Sequence, residues 1–175
     1  MNRHLLSFLL LFIILVPAQA LIFNNMVLFN VAMPFVYILM ILKLPLNMSV
    51  NIVMTLAFVS GLAVDIFSDT MGINTIAAVV TAFVRKPVAR IYLGADAETE
   101  EFKPSAASMG SAAFIKYALT ASLIYCTLVF TIEAFQFFNL RLLLLRIACS
   151  TLFTFMLIFA LDSLTLSRSR SEKRL

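Results

Sequence analysis

Six apolar runs, at 5–23, 27–42, 48–67, 72–84, 112–132 and 142–164, occupy most of this 175-residue chain and limit what it can fold into. A spanning helix needs about 20 predominantly apolar residues, so the runs predict about six membrane passes. Lipid supplies no hydrogen-bond partner to the backbone, which leaves only helices or a closed barrel. Barrel strands alternate apolar and polar residues and turn often. These runs do neither, and the chain has only 4 Gly and 5 Pro. The expected fold is therefore all-α: a polytopic integral membrane protein with a single transmembrane helical domain over 1–166. Composition agrees, with 62% apolar and 13% charged residues and a mean hydropathy of +1.03, against about 45–50% and about 25% in soluble domains. No soluble catalytic domain fits between the runs.

Arg3, the apolar run after it and Ala18-Gln19-Ala20 have the layout of a cleavable signal peptide. Apolar sequence resumes at Leu21, however, and removing the first run would leave an odd number of passes, so it is expected to stay as an anchor. With the N-terminus inside, alternation puts Arg3, Lys43, Arg85, Lys86, Arg90, Lys103, Lys116, Arg168, Arg170, Lys173 and Arg174 on the cytoplasmic side. Arg141 and Arg146 fall at the outer end of the last run. This follows the positive-inside rule and places both termini in the cytoplasm of a cell bounded by this membrane. The formal charge of +4 then reflects orientation, and no nucleic-acid partner is expected. The acidic stretch at 94–110 predicts a solvated cytoplasmic loop, and the basic tail at 167–175 is expected to rest on anionic headgroups.

The polar inventory is thin for catalysis. The one His, His4, lies outside the apolar runs, no metalloprotease, nucleophile-elbow or P-loop pattern occurs, and Asp65 and Asp162 are predicted at opposite membrane faces, too far apart to share a proton. The chain reads as a non-enzyme without cofactor or metal. Cys126 and Cys149 lack metal or redox spacing and are expected to behave as small hydrophobes. Ala57, Gly61 and Asp65 recur at i, i+4, giving one stripe on the third run that suits close helix approach. Asp65 at the end of an outward-running helix and Arg141 at the start of an inward-running one each oppose their own helix dipole. Pairing Asp65 with Arg141, or with the deeper Arg146, would resolve both. Asp69 is expected to cap the fourth helix.

Gly61-Leu62-Ala63-Val64-Asp65, followed after a polar turn by Gly72-Ile73-Asn74, resembles the Gly-Leu-x-x-Asp…Gly-Leu/Ile signature of MreD, the rod shape-determining membrane protein family of bacteria. Pro34-Phe35-Val36-Tyr37, Lys43-Leu44-Pro45 and Arg85-Lys86-Pro87 are similar to one branch of that family. The resemblance implies a non-catalytic scaffold of the cell-elongation machinery in the bacterial inner membrane. It implies binding to MreC, a single-span coiled-coil protein, and through it to the actin-like MreB filament, the RodA glycosyltransferase and a penicillin-binding transpeptidase. Ile66, Phe67, Met71 and Gly72, on the turn between two central passes, are the docking residues expected for that partner. The family also resembles the S-components of energy-coupling-factor transporters in helix arrangement, so vitamin binding is the competing expectation.

Overall fold

The protein is described by a computed structural model over residues 2–23, 32–93, 104–134 and 139–172. The first outer turn near Asn24, most of the acidic loop (94–103), part of the last outer turn (135–138) and the end of the basic tail (173–175) lie outside the described residues. The described residues form seven helices: α1 (Asn2–Leu21), α2 (Ile38–Leu42), α3 (Val50–Ser68), α4 (Ile73–Leu93), α5 (Ala106–Met109), α6 (Ser111–Glu133) and α7 (Leu140–Glu172). Among the described residues there is no strand. Three helices among the described residues, α3, α6 and the 140–164 part of α7, are long and apolar enough to cross a membrane.

The packing follows from where the small residues lie. α3 and α4 form the closest pair, antiparallel across the turn at residues 69–72, and α4 packs in turn on α6, and α6 on α7. Gly61 explains the first contact: a Cβ there would stand 2.5 Å from the Thr75 Cα and 2.9 Å from its backbone nitrogen. The α3 stripe of Ala57, Gly61 and Asp65 is buried against α4, rather than against the last helix as the expected arginine pairing required. α4 contributes Ala77, Ala78 and Ala82 to the core, and α6 contributes Ala118 and Ala121. Small side chains let helix backbones approach, so that packing replaces the hydrophobic effect that lipid removes.

The second apolar run, expected as a helix over 27–42, is helical only at Ile38–Leu42. Residues 32–37 approach it in extended and turn conformations, and 43–49 leave it as turns. From Phe35 to Leu46 this strap is buried throughout except for the half-buried Lys43, with Val36, Tyr37, Ile38 and Ile41 wholly enclosed. The reason is polarity: non-helical backbone at membrane depth survives only where protein surrounds it. A run of this length with Pro at both ends, Pro34 and Pro45, cannot satisfy its own carbonyls and N–H groups.

The other expected boundaries also shift. The fourth run was expected to stop at Val84, but α4 continues through Arg85, Lys86 and Pro87 to Leu93. α7 continues beyond 164 to Glu172, into the segment expected as a free tail.

Candidate functional site

The strap is held by side chains from the helices around it. From α1, Gln19 donates to the Pro34 carbonyl at 2.9 Å and accepts from the Val36 N–H at 2.8 Å. From α7, the Ser150 hydroxyl accepts from Met33 N–H at 2.9 Å and the Thr154 hydroxyl from Phe35 N–H at 3.0 Å. From α4, the Arg85 guanidinium donates to the carbonyls of Ile41, Leu44 and Pro45 at 2.6, 3.0 and 2.5 Å. Arg85 thus closes the carbonyl end of α2, a task that five residues of helix leave undone. It is only 1% exposed, enclosed by the strap that it holds. Nearby, Lys43 pairs with the buried Asp162 of α7 at 3.0 Å, and Asp162 also accepts from the Ala106 N–H at 2.9 Å. This ties the strap, α5 and α7 at one end of the bundle.

At the other end stands a polar knot centred on Asp65. One carboxylate oxygen accepts from the Thr70 hydroxyl, the Asn74 N–H and the Asn74 side-chain amide, and the other from the Thr75 N–H and hydroxyl, at 2.5–3.1 Å. Two of these donors are first-turn N–H groups of α4, which no intrahelical carbonyl can satisfy. Asp65 therefore caps α4 from α3, and its charge meets the favourable end of a helix dipole. Asn74 extends the network: Tyr125 of α6 donates to its Oδ1 at 2.7 Å, and the Tyr37 and Tyr125 hydroxyls share a hydrogen bond of 2.6 Å. The Tyr37 hydroxyl also donates to the Asn74 carbonyl at 3.3 Å. The strap, α4 and α6 are thereby bound to one carboxylate.

Two expectations are corrected here. Asp65 pairs with neither Arg141 nor Arg146, because five donors already fill its oxygens. Asp69 does not cap α4; it closes α3 in the left-handed conformation at φ 52°, its N–H donating to the Asp65 carbonyl. Asp65 and Asp162 have separate partners and form no dyad. Cys126 is buried on α6, Cys149 is half-buried on α7, and both are free thiols.

The docking candidates lie on the outside of the same turn. Ile66, Phe67 and Met71 are 70%, 66% and 97% exposed, and Gly72 holds φ +79° beside them. The knot fixes the turn from within while these apolar side chains point away from it. Arg85 and Gln19 are the residues that sequence reasoning missed. The signal was present in each case, as a cation followed by helix-compatible sequence and as a lone amide in an apolar run, but the strap they serve has no sequence signature of its own.

Arg141 and Arg146 lie on the first turns of α7, exposed and half-buried respectively, with no ion-pair partner among the described residues. Arg146 lines a cavity of about 240 Å³ between the end of α6 and the start of α7, with Glu133 and Asn139 as the other polar groups and Phe130, Leu142 and Leu143 among its apolar walls.

These features define an all-helical membrane protein whose interior polar groups hold an irregular strap within a helix bundle. Comparison with protein-family models, with curated proteins and with solved structures finds no match.

Proposed function

We propose that this chain is a non-catalytic membrane scaffold of the bacterial cell-elongation machinery, of the kind its sequence resembles in MreD. The observation that carries the reading is the turn between α3 and α4. Its interior is fixed by the Asp65 knot, and its exterior offers Ile66, Phe67 and Met71. A rigid backbone presenting large apolar side chains is suited to anchoring a partner, since little conformational freedom remains to be lost on binding. At the knot, Asp65, Asn74, Tyr37 and Tyr125 are taken up with one another, which leaves little chemistry there for a substrate.

In this reading α1, the strap, α3, α4, α6 and α7 make six alternating passes, with both termini and the 94–110 loop in the cytoplasm of a cell bounded by the inner membrane. The partner is an MreC-like single-span coiled-coil protein that meets the α3–α4 turn on the periplasmic side. Through it the scaffold reaches the MreB filament, RodA and the penicillin-binding transpeptidase, and so peptidoglycan insertion.

Co-expression with such a single-span partner tests the proposal. The partner should co-purify with the native chain and be lost with Phe67→Asp and Met71→Asp, whose exposed positions leave folding intact. A vitamin that strongly raises the melting temperature, without partner retention, would replace the scaffold by an S-component-like solute-binding subunit.

A further inference from the structure

The exposed Glu133 and half-buried Arg146 at the α6–α7 corner differ from Asp65, Arg85 and Asp162, the buried charges among the described residues, in having no partner there. Glu133 is the last residue of α6, and Arg146 is six residues into α7, about 9 Å along its axis at 1.5 Å per residue. Both line the same cavity without pairing with each other or with another described residue. Opposite charges that line one cavity without closing on each other leave room for a dipolar group between them. The cavity lies at the ends of two helices long and apolar enough to cross a bilayer, so its mouth stands at the depth of lipid headgroups. Its volume of about 240 Å³ is several times what a single water needs, room enough for a small headgroup. Phe130, Leu142 and Leu143 form its apolar walls, and the exposed Leu144 and Leu145 present apolar side chains on other faces of the same turns of α7.

We propose that this corner binds the headgroup of a phospholipid carrying both a phosphate and a primary amine. Arg146 receives the phosphate, as a guanidinium suits its oxygens. Glu133 receives the ammonium, and the Asn139 amide can bond either group. An anionic glycerol lipid would satisfy Arg146 but offer Glu133 only neutral hydroxyls where the ethanolamine lipid offers a cation. A choline lipid would carry the right charges but no N–H to donate to Glu133. The site therefore selects an ethanolamine headgroup.

The test uses the full chain in detergent, exchanged against phosphatidylethanolamine, phosphatidylcholine and phosphatidylglycerol, with bound lipid read by native mass spectrometry and melting temperature by thermal shift. The ethanolamine lipid should be retained about tenfold over the choline lipid, the worth of one charge-assisted hydrogen bond. Glu133→Gln should abolish that preference, and Arg146→Gln should lower retention of all three lipids. Neither side chain has an ion-pair partner among the described residues, so both variants should melt with the native chain when lipid-free. Equal retention of the three lipids by the native chain would overturn the proposal, as would a preference that survives both substitutions. Soluble phosphoethanolamine stabilising as well as the lipid would overturn the lipid as its source.

Discussion

The Asp65 knot and the Glu133–Arg146 corner are two ways of placing charge in an apolar protein. At the knot, one carboxylate accepts five hydrogen bonds and is 3% exposed. At the corner, an acid and a base line one cavity and leave each other unpaired. Tyr125, which joins the knot, precedes Glu133 by only eight residues on α6, or about 12 Å, so both features belong to the same end of the molecule. The same contrast separates α6 from α7: 50% of the apolar stretch of α6 is buried, against 22% for α7. Two things tell the structural charge from the one available to a ligand: Asp65 is buried where Glu133 is exposed, and its hydrogen-bonding positions are filled.

That comparison breaks most sharply if the knot proves dispensable. Asp65→Ala orphans two backbone N–H groups of α4 and three side-chain donors. At ~1–3 kcal/mol for each buried donor left without a partner, with some relaxation, the loss should be about 3–5 kcal/mol. Reversible unfolding in detergent measures it. Arg85→Met should come next, at about 2–4 kcal/mol, because three strap carbonyls lose their donor while an expensive buried cation is removed at the same time. Gly61→Ala should cost about 1–3 kcal/mol through overpacking, since the new methyl meets the α4 backbone and no flexible side chain can yield to it. Thr154→Val leaves one strap N–H unpaired and should cost about 1–2 kcal/mol, with faster amide exchange at Phe35 as the local readout.

The smallest effect sharpens the comparison from the other side. Arg141→Gln should change stability by less than about 0.5 kcal/mol, the usual range for a surface change. The double exchange of Asp65→Arg with Arg141→Asp should rescue nothing relative to Asp65→Arg alone. Recovery of the melting temperature by that exchange would restore the ion pair that the sequence suggested.

The stripe on α3 was readable because small residues and a carboxylate at i, i+4 can occupy only one helix face, and Gly61 has a physical reason to be there. The partner of that face was not readable. Dipole arguments pointed Asp65 toward the arginines of α7, whereas the nearest unsatisfied N–H groups lay on α4, nine and ten residues on, across a tight turn. The second run misled for a different reason. Apolar composition reports that a segment avoids water, and a buried strap avoids water as thoroughly as a lipid-facing helix does. The role of Arg85 was hidden as a consequence, since its carbonyl partners exist only once the strap is known to be irregular. The cavity between α6 and α7 had no sequence signal beyond its individual charges.

The strap also sets an order of assembly. Met33 and Phe35 are among the early residues to leave the ribosome, yet the hydroxyls that accept their N–H groups, Ser150 and Thr154, are made 117 and 119 residues later. Gln19 can engage Pro34 and Val36 at once, and Arg85 can seal α2 once α4 is inserted, but the upper strap stays unsealed until the last helix enters. A nascent chain halted before residue 150 would leave the Met33 and Phe35 N–H groups without their acceptors. Translation begins this segment early and completes it last, so the insertion of α7 is the step that locks the bundle.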